Sequence, residues 1–234
     1  MTDIRPPAKC KCIDIFQYFE DELLNILLIW ALDYSFVCAF TKARNTPVLL
    51  RSYTTEDSVD SLSTSDCVIW KAARATSAAA TFFDPMEIGR QTFVDGATGM
   101  NNPVEQVLEE AKSIWPDAIA KGRIQCLLSI GTGLPDLKKF GDNLKEVVET
   151  LKEIAVETEK TETRFFKNHE LLGLGGRYFR FNVNKGLCDI QLDDHEKLAE
   201  IEASAEYYLD NPRERKLIDE FRQAKAPMAC ASTI

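Results

Sequence analysis

One acidic residue in this sequence stands where a catalytic carboxylate could lie. Asp95 is followed by Gly96 and Ala97, at the point where a predicted strand, residues 91–94, gives way to a loop. A carboxylate at the carboxyl end of a strand in an open α/β sheet lies on the side where ligands bind, and it can act as a general base. From the residues alone, however, Asp-Gly is more often an ordinary strand-to-turn dipeptide, so the pair is a weak signal.

The other motifs with chemical potential are better explained as structure. The Gly-Thr-Gly of residues 131–133 lacks the remaining glycines of a dinucleotide fingerprint and the Gly-Lys-Ser/Thr of a P-loop, so we interpret it as a tight turn. His169 and His195 are flanked by charged residues, and neither is expected to be a catalytic base. Cys10 and Cys12 have no second Cys or His pair at zinc-finger spacing. We therefore predict no metal and no cofactor.

Ser77 and a group of three glutamates are also better explained as structure than as catalytic or metal-binding groups. Ser77 lies in a small-residue stretch that could approach the site, but its spacing makes no sharp elbow, so we interpret it as a packing residue. Glu105, Glu109 and Glu110 fall on a predicted helix and are expected to form its solvated face, not a metal site.

Strand and helix patterns alternate along the chain, which predicts an α/β layered fold. These elements must position the residues named above. Strands are predicted at residues 36–40, 47–50, 91–94, 124–130 and 178–183. Helices are predicted at residues 13–32 and from about residues 66, 103, 142 and 193. The helix from 66 is expected to turn Val68, Ile69, Ala72 and Ala73 to one side, and the last helix is expected to turn Leu198, Ile201, Ala205 and Tyr208 inward.

The helix after Asp95 has the best-marked start. Asn102 can cap it, Pro103 suits its first position, and Glu105 follows three residues after the cap. Its apolar stripe consists of Val104, Val107, Leu108, Ala111 and Trp115. Residues 95–101 are therefore predicted to be a loop.

Composition narrows the class of protein. The 234 residues contain 28 Lys and Arg against 37 Asp and Glu, a net charge of -9, which argues against nucleic-acid binding. It also gives no overall attraction to anionic membranes, so contact with lipid would have to be local and apolar. The seven cysteines are odd in number, and most sit in apolar runs typical of reduced thiols in an intracellular protein. We expect a cytoplasmic protein, with any membrane contact peripheral, because the most hydrophobic segment, residues 23–32, is about half the length that crosses a bilayer.

Several stretches of the chain together resemble the patatin-like phospholipases, in particular fungal members related to calcium-independent phospholipase A2. Matching stretches occur in order at residues 36–39 with 46–53, 69–83, 93–97 with 101–103, 128–133, and 178–183. One small departure is Ala80, where the family usually has proline. The resemblance covers roughly residues 36–209, and this ordered set is far more specific than any one motif.

The resemblance implies a three-layer α/β/α fold and hydrolysis of fatty-acyl esters, in phospholipids or neutral lipids, by a serine-aspartate dyad. Asp95 of the Asp-Gly-Ala motif, which comprises Asp95, Gly96 and Ala97, would be the base that takes the proton of the serine. In the family the serine stands in a Gly-x-Ser-x-Gly elbow, and a glycine-rich loop donates backbone N–H groups to the oxyanion.

In the family, the Gly-x-Ser-x-Gly elbow and the glycine-rich loop both precede the catalytic aspartate. Neither occurs before Asp95 in this sequence. The first glycine is Gly89, and no Gly-x-Ser-x-Gly occurs anywhere in the sequence, so no nucleophile is identified. We expect an N-terminally incomplete domain: residues 1–35 a divergent or replaced helical segment, 36–209 the C-terminal part of a patatin-like domain, and 210–234 a helix and tail. Such a chain is expected to be inactive alone, and missing central strands would invite self-association.

Two hypotheses remain open at this point. The chain is part of a lipid acyl hydrolase with Asp95 as base, the serine missing and residues 131–133 helping to shape the site, or it is a catalytically inactive module that binds lipid or protein. The second hypothesis rests on the missing elbow and on the apolar segment 23–32, which could cover an exposed sheet edge.

Overall fold

The computed structural model describes residues 34–54, 67–79, 83–134, 145–187, 190 and 194–225. These residues form two compact units. The first unit holds the described residues up to 114 together with residues 145–164, and the second holds residues 115–134 and the described residues from 165 onwards.

The first unit is built on a four-stranded antiparallel sheet with the order β2-β1-β4-β3. Its strands are β1 (Phe36–Thr41), β2 (Thr46–Arg51), β3 (Met86–Ile88) and β4 (Gln91–Asp95). A hairpin joins β1 to β2, and Asn45 takes a left-handed backbone conformation in its turn, with a φ of 49°. Asparagine tolerates that conformation better than most residues, which suits it to this position.

The core of the first unit lies against one face of this sheet. Its buried residues are Ala39, Leu50, Ala75, Ile88 and Phe93, with Val37, Val48, Cys67, Ala72 and Met86 packed around them. Ala75 belongs to helix α1 (Ile69–Thr76), so this helix docks on the sheet through its small residues. Small side chains let the helix approach the strands closely, which brings its C-terminal end near the end of β4.

Three more helices follow β4 in the first unit. They are α2 (Ala97–Met100), α3 (Val104–Ile114) and, after a stretch of chain that belongs to the second unit, the greater part of α5 (Lys145–Asn168). Helix α3 buries Val104 and Leu108 of its predicted apolar stripe. The prediction was wrong for Val107 and Trp115, which are 36% and 42% exposed.

The second unit contains a two-stranded parallel sheet of β5 (Leu127–Ile130) and β6 (Tyr178–Phe181). Its helices are α4 (Pro116–Ala120), the last turn of α5, α6 (Leu198–Leu209), which follows a 3-10 turn at His195–Lys197, and α7 (Pro212–Lys225). Aromatic side chains hold it together: Phe221 of α7 meets Phe179 and Phe181 at centroid distances of 5.5 and 6.4 Å, and Phe165 meets Tyr178 at 4.8 Å.

The mixed α/β fold is confirmed, and strands occupy all five predicted places, with β3 added. The prediction that residues 95–101 form only a loop was wrong, because Ala97–Met100 forms a short helix. Of the four residues predicted to share one side of α1, Val68, Ile69 and Ala73 are exposed and Ala72 is partly buried, and the buried residue of this helix is Ala75. Leu198, predicted inward, is exposed as well.

Some sequence predictions lie outside the described residues. These are the helix at residues 13–32, most of the polar loop before α1, and the start of the helix expected near Asp142.

Candidate functional site

Asp95 is the last residue of β4, and the sheet fixes its backbone on both sides. It pairs with Ala39 of the central strand β1, and its backbone N–H donates to the carbonyl oxygen of Ala78 at 3.1 Å. The carboxylate therefore projects from a position held by a strand and by the segment that leaves α1. Such support from regular elements gives a functional side chain a defined place.

The carboxylate of Asp95 is half-buried and has one backbone donor. The N–H of Ala97 donates to Asp95 Oδ1 at 2.8 Å. Burial raises the pKa of this carboxyl above its ordinary value, and the Ala97 hydrogen bond opposes that rise. A raised pKa makes the carboxylate a stronger proton acceptor, which is the property a general base needs.

The turn after Asp95 requires glycine for a steric reason. A Cβ atom on Gly96 would lie 2.5 Å from the carbonyl oxygen of Cys38, well inside contact distance. The same carbonyl accepts a hydrogen bond from Thr76 Oγ1 at 2.6 Å. The end of α1, the middle of β1 and the turn after β4 therefore meet at one backbone oxygen, and only a glycine backbone fits there.

Helix α2 continues directly from this turn. The Gly96 carbonyl accepts from the N–H of Met100 at 2.8 Å, and Asn101 Nδ2 then donates to Thr158 Oγ1 of α5 at 3.0 Å. Thr158 in turn donates to the Ile154 carbonyl at 2.7 Å. The segment between Asp95 and α3 is thus held by backbone and side-chain hydrogen bonds at both of its ends.

Helix α3 is tied to the sheet by a carboxylate that the sequence assigned to solvent. Glu110 is only 8% exposed, and its two oxygens accept from Arg51 Nε at 2.5 Å and from a terminal Arg51 nitrogen at 2.7 Å. The Tyr53 hydroxyl donates to the same carboxylate at 2.7 Å. The prediction of a solvated Glu105, Glu109 and Glu110 face was therefore wrong for Glu110, because Arg51 of β2 and Tyr53 just after it supply the charged and hydrogen-bonding partners that allow its burial.

The remaining predicted residues lie elsewhere. Ser77 is exposed at the C-terminal end of α1. His169 and His195 both belong to the second unit, as do residues 131–133. There, the N–H of Gly131 donates to the Phe181 carbonyl and that of Gly133 donates to Asn182 Oδ1, each at 2.8 Å. These N–H groups serve the fold, which agrees with the structural interpretation of the Gly-Thr-Gly segment.

The described residues contain neither a cluster of metal ligands nor a membrane-spanning helix. Within the described parts of the chain, no three His, Cys, Asp or Glu side chains converge as a metal site would require. The described helices also include none that is long and apolar enough to cross a membrane.

The sequence alone indicated Asp95, Gly96 and Ala97, but not the long-range contacts that hold the surrounding elements in place. Thr76 and Cys38 are 38 residues apart, and Arg51 and Glu110 are 59 apart, so periodicity carries no sign of either pairing. Glu110 does fall on the same helical face as residues of the apolar stripe, three positions after Val107, and that placement is the one signal that could have marked it.

Comparison with known proteins finds a family to which part of this chain is similar. Residues 6–108, which include Asp95, Gly96 and Ala97, match the model of the patatin-like phospholipase family. Residues 6–108 are less than half of the chain, so the assignment is a similarity of this region to the patatin-like phospholipases.

Individual relatives agree with that assignment. The chain is 32% identical over 150 residues to phospholipase A I of Arabidopsis thaliana, an alignment that covers 62% of this chain and 11% of that protein. It is 32% identical over 157 residues to calcium-independent phospholipase A2-gamma of Rattus norvegicus, which covers 63% of this chain and 19% of the relative. The human calcium-independent phospholipase A2-gamma is 30% identical over 157 residues. The matched part is less than a fifth of the length of these relatives.

Proposed function

We propose that this chain is part of a lipid acyl hydrolase in which Asp95 is the proton acceptor of a Ser-Asp dyad. The single observation that carries the proposal is the geometry of Asp95 within the family-matched region: a half-buried carboxylate at a strand end, with a raised pKa and a fixed glycine turn behind it. The substrate class is lipid acyl esters, as the names of the relatives suggest.

The role of Asp95 follows from its hydrogen bonding. Oδ1 accepts the Ala97 N–H, which fixes the orientation of the carboxylate plane. A serine hydroxyl placed against Oδ2 would donate its proton as it attacks an acyl carbonyl, and the same carboxyl would return the proton to the leaving alcohol. Burial favours the protonated carboxyl and so assists the first of these transfers.

The serine itself is not among these 234 residues in any Gly-x-Ser-x-Gly context. The chain alone is therefore expected not to hydrolyse acyl esters, since loss of the nucleophile costs serine hydrolases roughly six orders of magnitude in rate. Ser77 does not replace it in this proposal, because it ends a helix and has no tight strand-to-helix turn around it.

The test is to restore the missing part. A segment carrying a Gly-x-Ser-x-Gly elbow, taken from the rat relative, is fused before Phe36, and acyl release from a phosphatidylcholine substrate is measured. The fusion is expected to hydrolyse the ester, and the Asp95→Asn version of the same fusion is expected to be inactive. Full activity of the Asp95→Asn fusion would refute the assignment of the base, and Asp84→Asn, an exposed carboxylate of the same unit, is the matched control.

A second candidate function is favoured by one observation. The described surface of α1 exposes Ile69 and Trp70 at 87% and 62%, which is unusual for large apolar side chains. A catalytically inactive module that binds lipid would use such a surface without any dyad. Vesicle binding by the chain, with no acyl release from the elbow-restored fusion, would favour this second function over the first.

A further inference from the structure

Helix α2 is a single turn, so its orientation depends on what holds its ends. It comprises Ala97–Met100, and its first N–H, that of Ala97, donates to Asp95 Oδ1 at 2.8 Å. A helix this short has little stability of its own, because a whole turn of backbone must be fixed for very few hydrogen bonds. Whatever holds α2 therefore also holds the donor that orients the Asp95 carboxylate.

The N-terminal end and the middle of α2 rest on β1. Gly96 packs against the Cys38 carbonyl, and a Cβ atom on Gly99 would lie 3.1 Å from the Phe40 ring. Met100 is also buried, with 5% of its surface exposed. Packing contacts are less directional than hydrogen bonds, so the rotation of the turn depends on its polar contacts.

The C-terminal end of α2 is held by a polar contact to α5. Asn101 Nδ2 donates to Thr158 Oγ1 at 3.0 Å, and Thr158 Oγ1 donates to the Ile154 carbonyl at 2.7 Å. A hydroxyl has one hydrogen, which the Ile154 carbonyl accepts here, so Thr158 can only accept from Asn101. Thr158 is 9% exposed. The contact therefore has a fixed direction and lies largely out of water, where a hydrogen bond is stronger.

A second polar contact between this segment and α5 is open to solvent. Arg164 donates to both oxygens of Glu105 at 2.7 and 2.8 Å, but the two side chains are 54% and 35% exposed. An ion pair this exposed contributes little to fixing an element. The hydrogen bond between Asn101 and Thr158 is therefore the better-defined contact through which α5 acts on α2.

We propose that Thr158 is a positioning residue for Asp95 and acts through Asn101 and α2. The contact holds the Ala97 N–H on Oδ1 and leaves Oδ2 available for the proton of the nucleophile. The catalytic meaning of this arrangement rests on the proposed function, but the arrangement itself can be measured in the chain alone. Within the described residues, burial raises the pKa of Asp95, the Ala97 hydrogen bond lowers it, and no charged side chain contributes.

The pKa of Asp95 in the full chain tests the proposal. It is measured by NMR titration of the side-chain carboxyl carbon, which is assigned by its loss in Asp95→Asn. Thr158→Val keeps the shape of the side chain and removes the hydroxyl, so α2 is freer to turn and the Ala97 hydrogen bond weakens. The pKa of Asp95 is therefore expected to rise. Thr158→Ser keeps the hydroxyl and is expected to keep the original pKa.

Thr161→Val is the matched control. Thr161 is 6% exposed and lies one turn further along α5, but it is Thr158 that accepts from Asn101. Thr161→Val is expected to leave the pKa of Asp95 unchanged. Asn101→Ala removes the same hydrogen bond from its exposed side and is expected to raise the pKa as Thr158→Val does. The two substitutions together are expected to raise it no further than either alone, because they remove one contact.

The elbow-restored fusion shows the catalytic consequence. On the acid limb of its pH–rate profile, Thr158→Val is expected to react with a fluorophosphonate about fivefold more slowly, which is the equilibrium equivalent of one hydrogen bond. The limb itself is expected to move to higher pH, because the pKa of the base has risen. A merely structural role of Thr158 would lower the rate at every pH and leave the limb in place.

Two outcomes would overturn the proposal. One is an unchanged pKa of Asp95 in both Thr158→Val and Asn101→Ala, and the other is an equal rise in Thr161→Val. If the pKa moves as expected but the Asp95→Asn fusion keeps full activity, Thr158 does position this carboxylate and the assignment of the base is wrong. Failure of the positioning role and failure of the proposed function are therefore separate results.

Discussion

Gly96 packs its backbone directly against Cys38, so closely that a Cβ atom at residue 96 would lie 2.5 Å from the Cys38 carbonyl oxygen. The turn that follows Asp95 is therefore in direct backbone contact with the adjacent strand, β1. Thr76 donates its hydroxyl hydrogen to the same carbonyl at 2.6 Å, so three elements share this position. The position of the Asp95 carboxylate depends on this packing.

Gly96→Ala is the substitution that probes this contact. The added methyl group must displace the Cys38 backbone or move the turn, and overpacking of this kind costs about 1–3 kcal/mol or more. We expect a clear fall in the free energy of unfolding, measured by urea denaturation. Gly175→Ala is the control, because its Cβ would meet Glu170 Cγ at 3.8 Å and its φ is not left-handed. Equal stability of Gly96→Ala and the original chain would contradict the described packing.

Asp95→Asn is expected to separate stability from function. Burial raises the folded-state pKa of Asp95 above its ordinary value of 3.8, so the folded state favours the protonated carboxyl. Its contribution to stability is present at low pH and is lost as the pH rises through the folded-state pKa. At neutral pH the charge is unfavourable, and Asn removes it while keeping an oxygen that can accept the Ala97 N–H.

Thermal denaturation at a series of pH values measures this effect. The Tm of Asp95→Asn at pH 7 is expected to equal or exceed that of the original chain, and the fall in Tm with rising pH from about pH 4 is expected to be weaker. Asp84→Asn, on the exposed surface of the same unit, is expected to show neither change. A lower Tm for Asp95→Asn at pH 7 would mean that the charge of Asp95 stabilises the fold.

Glu110→Gln tests the ion pair that ties α3 to β2. The substitution leaves Arg51, about a quarter exposed, beside a neutral amide, and we expect a loss of about 2–3 kcal/mol. Hydrogen bonds from Arg51 and Tyr53 hold the pKa of Glu110 below its ordinary value of 4.5. Because that pKa is lowered, the stability is present above pH 4.5 and is lost as the pH falls through the folded-state pKa.

Acid denaturation of the original chain and of Glu110→Gln shows whether ionised Glu110 stabilises the fold. The original chain is expected to lose stability below pH 4.5 more steeply than Glu110→Gln, in which this carboxyl no longer titrates. Glu109→Gln is the matched control, because Glu109 is exposed and its ion pair within the described part of the chain is with Lys112 one turn along the helix, a contact worth about 0.5 kcal/mol or less. If the original chain and Glu110→Gln lost stability equally steeply as the pH falls, the Glu110–Arg51 ion pair would not contribute to stability as proposed.

Much of the local structure could be predicted from the sequence. The alternating residues before Asp95 form β4, and the helix signals at Asn102 and Pro103 place α3 to within one residue. These signals are local, since a strand period, a cap and a proline act within a few residues of themselves. The Asp-Gly-Ala motif was likewise readable in one stretch.

The rest depends on partners that are distant in the chain. The burial of Glu110 needs Arg51, and the glycine at 96 needs the Cys38 carbonyl, but hydrophobic periodicity records neither partner. The same limit explains Ile69, whose apolar character predicts burial while the fold leaves it exposed. A hydrophobic pattern predicts which face of a helix or strand is apolar, and only the tertiary structure shows whether that face is buried.

The central claim is that Asp95 activates a serine supplied from outside these residues. Its most direct measurement is the rate at which a fluorophosphonate probe labels the elbow serine of the restored fusion, with Asp95 present and with Asp95→Asn. We expect rapid labelling of that one serine when Asp95 is present, and labelling slower by roughly three to four orders of magnitude in Asp95→Asn. Equal labelling rates in the two proteins would show that Asp95 is not the base.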